Sequence, residues 1–280
     1  MSRRTALVAA SAAVIGAALL CAAVGARLAP YDALRYDVRS TLRAPSRAHP
    51  LGTDPLGRDV LSQLITGARV SIVAGVVSVI VGMAAGTAVG LVAGIARGRA
   101  AGLLMRAMDA LLVFPSLVLA LAITAFLGVS LWNVIVALAV TFLPTFAILV
   151  RGEVLSLRER EFVTAAWALG SRRTRVMRRH LLPNVGDVLL VQASFGVGTA
   201  ILTEASLSFL GLGVPPPTLS WGRMLREGYS YLLLAPWISI ASGAAIFAVV
   251  LAFQLLADGL QDVLTRRAGG AQRREMVGRA

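Results

Sequence analysis

Residues 160–170 have the sequence REFVTAAWALG, and residues 180–184 follow with HLLPN. The segment is basic, its composition favours helix, and long hydrophobic runs flank it on both sides. A polar stretch with helical periodicity is not needed to cross a bilayer. We therefore expect it to lie at the membrane surface and to offer a docking surface to another protein.

The composition of the whole chain points to a bilayer as its solvent. Of the 280 residues, 57% are hydrophobic and 15% are charged, and the mean hydropathy is +0.78. A soluble domain cannot bury that much apolar surface, whereas a spanning helix needs about 20 apolar residues. Six windows have this length: 6–29, 71–96, 107–127, 131–150, 188–207 and 237–256. The sequence predicts an all-α membrane protein with six transmembrane helices.

The distribution of charge predicts the orientation. The chain has 27 basic residues, all of them arginine, and a net charge of +13. With a cytoplasmic N-terminus, eighteen of the 27 arginines lie on the inner side, as the positive-inside rule favours. The arginines fall between hydrophobic runs, so anionic lipid explains them better than nucleic acid does. We predict that both termini are cytoplasmic and expect no nucleic-acid partner.

Missing residue types exclude several kinds of chemistry. Without lysine, the chain cannot contain a P-loop of the form GxxxxGK[ST], so any ATP hydrolysis must come from a partner. A single cysteine, Cys21, excludes an intrachain disulfide and a cysteine-rich metal site. His49 and His180 are the only histidines, and no nucleophile–base–acid arrangement is visible. We expect no metal, no cofactor and no catalysis on this chain.

The first hydrophobic run has two interpretations. It could be a signal peptide, but its length of about 20 residues exceeds the ~7–15 of a signal core, so we interpret it as an uncleaved span. The predicted organisation is a first helix with an external loop (1–70), a core of five spans (71–265) and a basic cytoplasmic tail (266–280). Within the core we expect a cytoplasmic loop at 151–185 and an external loop at 208–236.

Prolines and small residues predict how the spans are shaped and packed. Pro115 and Pro144 each remove a backbone donor and should kink or interrupt their helices, whereas Pro236 should start the last span. In the second span small residues recur at every fourth position, which forms a groove for close helix approach. The helix-packing residues are Ala74, Ser78, Gly82, Gly86, Gly90 and Gly94.

The fifth span is the most polar. A carboxylate such as Glu204 is costly in hydrocarbon unless it meets a polar interior or the interface. Because Glu204 stands near the outer end of its span, we keep two interpretations open, an interfacial anchor and a lining or gating residue. Gln192, Ser194 and Thr203 are expected to face the bundle interior, where they are candidates for a pathway or gate.

The cytoplasmic loop predicts two short helices. Residues 158–169 have helical spacing of Phe162, Val163, Ala166 and Leu169, and Gly170 suits the position after a helix end. Ser171 is expected to cap a second, basic helix over 172–181, and Pro183 to end it. From physics alone, the loop is either a docking surface built on the small residues 164–166 or an amphipathic helix lying on the membrane.

Four motifs carry a resemblance that favours docking. Thr164-Ala165-Ala166, Gly170 and Leu182-Pro183 resemble the EAA loop of ABC importer permeases. Three further stretches narrow the match to the dipeptide/oligopeptide/nickel permease family, and to the second, C-type, of its two permease subunits. These are His49–Asp54 with Leu56–Val60, His180–Asn184, and Glu204–Gly213 continuing to Trp221-Gly222.

The resemblance implies a type I ABC importer permease fold in a bacterial plasma membrane. It implies a second permease subunit, two cytoplasmic ATPase subunits that hold ATP and Mg, an extracytoplasmic binding protein, and membrane lipid as partners. A peptide substrate is expected, with nickel or another small solute as the alternative. The residues assigned to ATPase coupling are Glu161, Thr164, Ala165, Ala166, Gly170, His180, Leu182, Pro183 and Asn184.

One departure from the family pattern is Thr164, which stands where the EAA loop usually has glutamate. A hydroxyl cannot pair with an arginine of an ATPase, so we expect docking that depends less on charge. Two rival classes remain. A stand-alone secondary transporter would show intramembrane charges and repeats, and only Glu204 approaches this. A membrane-embedded enzyme would need clusters of His, Asp or Cys, and the sequence shows none.

Overall fold

The structure is a computed structural model that describes the backbone of residues 3–96 and 98–277 and the side chains of 7–96 and 98–264. The side chains of the basic tail predicted at 266–280, of Arg3 and Arg4, and of Arg97 therefore lie outside the described residues. Ten α-helices occur in the described part: α1 Arg3–Leu28, α2 Val60–Ile95, α3 Arg99–Leu112, α4 Ser116–Leu127, α5 Leu131–Leu157, α6 Glu161–Ala168, α7 Arg173–Val176, α8 Leu182–Leu210, α9 Trp221–Tyr229 and α10 Pro236–Val277.

Five of these helical stretches are long and apolar enough to cross a membrane, and a sixth span is broken. The five are Leu7–Leu28, Val60–Ile95, Leu131–Leu157, Arg173–Leu210 and Pro236–Leu264. The sixth is the pair α3 and α4, which meet at an angle of 92°. The prediction of an all-helical chain is thereby confirmed for the described residues, and the predicted number of six spans is reached when the bent pair is counted as one span. We call the end that carries α6 the inner end and the opposite end the outer end, following the predicted orientation.

The third predicted span is not one straight helix. The window 107–127 is cut after Leu112, and α4 restarts with Pro115 at its N-cap position. Proline lacks the N–H that the helix needs, and it disfavours helical conformation in the residue before it. Pro144, in contrast, lies inside α5, which continues to Leu157 without a break.

The second predicted span begins earlier than expected. We placed its start at Ser71, but α2 starts at Val60, inside the stretch assigned to the external loop. Asp59 is the N-cap, and its carboxylate accepts from the Ser62 amide at 2.8 Å. A carboxylate at this position satisfies one of the free N–H groups of the first turn and suits the helix dipole. The extra turns reach beyond the apolar window.

The small residues of α2 lie against α5. A β-carbon at Gly82 would lie 2.9 Å from the Ala139 carbonyl oxygen, and one at Gly90 would lie 2.6 Å from that of Ala147. The same crowding recurs at Gly86, against α5 backbone, and at Gly94, against a valine side chain of α5. The two backbones therefore pack closely without side chains between them. Ser78, in the same series, bonds the carbonyl of Ala74 on its own helix.

Candidate functional site

The inner site is built on α6, which ends in a turn that requires glycine. Gly170 has φ +75, and its amide donates to the Trp167 carbonyl at 2.9 Å. The next amide, of Ser171, reaches back to the Ala166 carbonyl at 3.1 Å. This pattern satisfies the free carbonyls at a helix end and places the glycine in the left-handed region. The helix end expected from the sequence is therefore where the structure has it.

The two faces of α6 differ from the prediction at one residue. Val163 is 0% exposed and Ala166 is 7% exposed, so both pack into the main hydrophobic core. Thr164 and Ala165 are exposed, while Leu169 is 87% exposed. The small-residue face proposed at 164–166 is thus wrong for Ala166, because the helical repeat turns that residue towards the bundle.

The second helix of the loop does not stop at Pro183. Arg172, and not Ser171, is the N-cap of α7. The helix then passes through a π-helical turn, Met177–Leu181, into α8, and Pro183 lies in the first turn of α8. Helix therefore runs from Arg173 to Leu210. The π turn bonds the Leu182 amide to the Met177 carbonyl five residues back, so the helix accommodates the proline.

The remaining coupling residues lie where α6 meets the π turn. The ring of His180 lies 6.2 Å from that of Phe162 on α6. Asn184 donates from Nδ2 to the His180 carbonyl at 2.6 Å. The main-chain carbonyl of His180, and not its ring, accepts this hydrogen bond. Glu161, Leu182 and Pro183 are exposed to solvent or to a partner.

We call residues 158–184, for which the sequence predicts ATPase coupling, the coupling segment. Among the described residues, it is attached to the bundle by apolar packing and one polar contact. Val163, Val176 and Leu181 are each 0% exposed and belong to the core cluster that includes Val154 of α5. Arg158 donates from Nη1 to the Gly94 carbonyl, at the inner end of α2, at 2.8 Å. A cavity of about 420 Å³ lies beside these contacts and is lined by Ile95, Arg158, Thr164, Trp167 and Arg173.

The polar residues of the fifth span occupy two environments on α8. Gln192, Ser194 and Thr203 are half-buried, and the hydroxyls of Ser194 and Thr203 bond carbonyls of their own helix at 2.9 and 2.8 Å. Glu204 is 0% exposed. Its Oε1 accepts from Ser208 at 2.7 Å, and its Oε2 has no partner within the described residues. An interfacial anchor would face head groups, and this carboxyl does not.

Glu204 lies where α9 begins. Ser220 is the N-cap of α9, and the Trp221 amide donates to the Ser71 hydroxyl of α2 at 3.1 Å. A β-carbon at Gly222 would lie 2.5 Å from Ala205, so α9 starts directly on the backbone of α8. Glu204, the neighbour of Ala205 in α8, is therefore buried beside the first turn of α9.

A second polar site lies at the outer end and joins segments that are far apart in the sequence. Arg58 bonds Asp54 at 2.5 Å and Glu227 of α9 at 3.1 Å. Gln63 donates to the same Asp54 at 2.8 Å, and Arg223 bonds Glu227 at 2.9 Å. We call these five residues the outer network. Nothing in the sequence pattern singles out Glu227 or Arg223 as partners of this loop.

Other residues of the first external loop also make hydrogen bonds that fix its conformation. His49 lies 2.9 Å from Asp59, and the Trp237 indole donates to the Thr53 carbonyl at 3.1 Å. Asp37 caps a 3₁₀ turn, Val38–Ser40. Hydrogen bonds from the Ser40 hydroxyl and the Arg39 amide hold the pKa of Asp37 below its usual value. The loop is therefore a folded element of the outer face.

The bundle has a bent α3–α4 pair, a closely packed α2–α5 pair and an inner helical segment with an exposed face, and comparison with known families places it among the membrane permeases of ABC importers. Residues 86–270 match the sequence profile of the family described as binding-protein-dependent transport system inner membrane component. The chain belongs to this family. It is a multi-pass protein of the cell membrane, as the resemblance predicted.

Relatives and a solved structure agree with this assignment. The chain is 45% identical over 254 residues to the glutathione transport system permease protein GsiD of Shigella flexneri serotype 5b, covering 90% of this chain and 84% of the relative. It is 43% identical, with the same coverage, to GsiD of Escherichia coli O157:H7. A structure of the MetNI methionine ABC transporter shares the fold, with a TM-score of 0.58, 20% identity, and coverage of 72% of this chain and 96% of that one.

Proposed function

We propose that this chain forms half of the translocation pathway of an ATP-driven importer for peptides and transmits the movement of a separate ATPase to that pathway. One observation carries the proposal. The coupling segment is anchored through Val163 and Leu181, both 0% exposed, yet it presents Thr164, Ala165 and Leu169 on its free surface. A segment that has one free face for a partner and another face packed against the spans can transmit a displacement from that partner to the spans.

The direct route for that displacement is α8. Helix runs from Arg173 at the inner end to Leu210 at the outer end, so the second part of the coupling segment and the fifth span form one helical rod. The first part, α6, packs in the same hydrophobic cluster as the start of this rod through Val163. The rod carries the half-buried Gln192, Ser194 and Thr203 and the buried Glu204. Movement at α6 and α7 would therefore displace the residues proposed for the pathway or gate. If the rod packs against the other spans in two alternative positions, the pathway can open to one side of the membrane in one position and to the other side in the second.

The partners follow from the same proposal. A second permease subunit would complete the pathway, two cytoplasmic ATPase subunits would bind the coupling segments, and an extracytoplasmic binding protein would deliver the substrate. ATP and Mg would be held by the ATPases, since this chain has no lysine for a P-loop. The peptide class rests on the relatives, whose printed names specify glutathione transport.

Gly170 tests the coupling assignment. A valine there must adopt a φ of +75, which is strained for a β-branched side chain, although no atom lies within 4 Å of the added β-carbon. We expect Gly170→Val to distort the end of α6. In proteoliposomes containing the assembled transporter, substrate uptake per ATP hydrolysed should fall at least several-fold.

The matched control is Gly186→Ala, in the first turns of α8. Gly186 also has open space around its β-carbon position, but it is helical, so alanine should be tolerated. Uptake and substrate-stimulated ATPase activity that are both unchanged in Gly170→Val would refute the coupling role.

A further inference from the structure

The exposed side of α9 borders two adjoining cavities at the outer end. Their volumes are about 500 and 390 Å³, and both are lined by Pro216, Arg223, Glu227 and Ser230. Arg226 lines the larger cavity and Arg58 the smaller one. We call the combined space the outer cleft. The opposite side of α9, with Trp221, Met224 and Gly228, is buried against the spans.

The charges around the outer cleft do not balance. Arg58 is paired with the buried Asp54, and Glu227 accepts from both Arg58 and Arg223. Arg226 is exposed and has no hydrogen bond or ion pair among the described residues. Three guanidinium groups thus face two carboxylates, and the cleft keeps one positive charge in excess. That charge is on Arg226.

The position of Arg226 depends on a glycine of a different helix. Gly211, which follows α8 and has φ +90, lies so close that a β-carbon on it would collide with the guanidinium of Arg226. The bare glycine therefore makes room for the arginine beside the cleft. The alternative is a purely structural role, because a cation near the C-terminus of α8 suits the helix dipole. The two roles differ in whether the guanidinium is available to a ligand.

We propose that the outer cleft binds the free carboxylate of the transported peptide through Arg226, an inference that rests on the proposed peptide substrate. Guanidinium groups bind carboxylates with two parallel hydrogen bonds, and a partly enclosed site strengthens such bonds relative to open water. A carboxylate would neutralise the one excess charge of the cleft. The Ser230 hydroxyl lies on the same rim and is a further donor.

The first arm of the test measures the charge of the cleft. Cys21→Ala removes the native thiol, and Ser230→Cys places a thiol on the rim, in the assembled transporter in nanodiscs. We expect an anionic methanethiosulfonate reagent to react faster than a cationic one, after correction for their rates with a free thiol. Arg226→Gln should reduce this preference about sevenfold, because one unit charge at roughly 7 Å in water changes the rate of each reagent about threefold and in opposite directions. Arg47→Gln, an exposed arginine of the first external loop, should leave it unchanged.

The second arm measures ligand protection of the same thiol. Trialanine and S-methylglutathione are the probes, each compared with the form in which its carboxyl groups are amides. At least one free acid should slow labelling severalfold, its amide should not, and Arg226→Gln should abolish the protection. Three outcomes would each overturn the proposal: equal effects of acid and amide, no protection by either probe, or no effect of Arg226→Gln. The last outcome would indicate that Arg226 acts only at the end of α8.

The source of the carboxylate and the proposed function are tested separately. Protection that appears on adding peptide-free binding protein, and that Arg226→Gln removes, would assign the cleft to a carboxylate of that protein and overturn the peptide assignment. Labelling does not require transport. Failure of ATP-driven uptake in the unmodified assembly would therefore refute the proposed function, and failure of protection would refute only the site.

Discussion

The two ends of the bundle are held by different interactions. At the outer end, polar side chains bond partners far along the chain, as Arg58 bonds Glu227 and Trp237 bonds the Thr53 carbonyl. At the inner end, hydrogen bonds of the coupling segment are mostly local, and Val163 and Leu181 attach it by apolar packing. Hydrogen bonds and ion pairs between distant segments fix the orientation of one segment relative to another, whereas the hydrophobic effect is non-directional. The comparison indicates a fixed outer scaffold and an inner segment able to move as a unit.

Breaking the outer network should have the largest effect. Arg58→Ala would leave Asp54, which is 1% exposed, without its ion-pair partner. An uncompensated buried charge costs about 3–5 kcal/mol, so the unfolding temperature of the purified subunit should fall sharply. Arg47→Ala is the matched control, since Arg47 is exposed in the same loop. Similar unfolding temperatures for the two variants would contradict the description of the outer end as a fixed scaffold.

Two leucines of the coupling segment separate attachment from docking. Leu181 is 0% exposed, and Leu169 is 87% exposed. Leu181→Ala should lower the free energy of unfolding by about 2–5 kcal/mol, because it leaves a cavity in the core. Leu169→Ala should leave thermal unfolding unchanged and weaken retention of the ATPase in a pull-down. Equal effects of the two variants on both unfolding and ATPase retention would contradict the assignment of one packed and one free face.

The smallest expected effect concerns the departure at Thr164. This residue shares a cavity with Arg158 and Arg173, and its hydroxyl bonds only the Arg160 carbonyl of its own helix, at 3.2 Å. Thr164→Glu would add a carboxylate beside two guanidinium groups. A partly exposed ion pair contributes about 0.2–1 kcal/mol, so unfolding temperature should rise slightly in low salt.

Thr164→Gln controls for the size of the new side chain. Salt should remove the stabilisation by glutamate and leave the glutamine variant unaffected, because exposed charges are screened over about 10 Å at 0.1 M. A rise that persists in high salt would show that packing, and not charge, is responsible.

The sequence by itself determined the features that depend on local properties. Hydropathy over about 20 residues identified the spans, and the positions of Pro115 and Gly170 predicted where helices end. The same reasoning failed at Pro183, because a neighbouring π turn can absorb a missing donor and no residue pattern announces it. It failed at Ala166 because this residue fits both the apolar spacing with Val163 and the small-residue face, and spacing alone does not decide between the two.

Only the tertiary structure decided which distant residues meet. The pairing of Arg58 with Glu227, the burial of Glu204 beside the start of α9, and the contact of Arg226 with Gly211 join segments that hydropathy and spacing treat as independent. Such contacts arise from how whole helices pack, and packing is a property of all the side chains at an interface together. The class of the protein was therefore readable from its sequence, whereas the chemistry of its outer face was not.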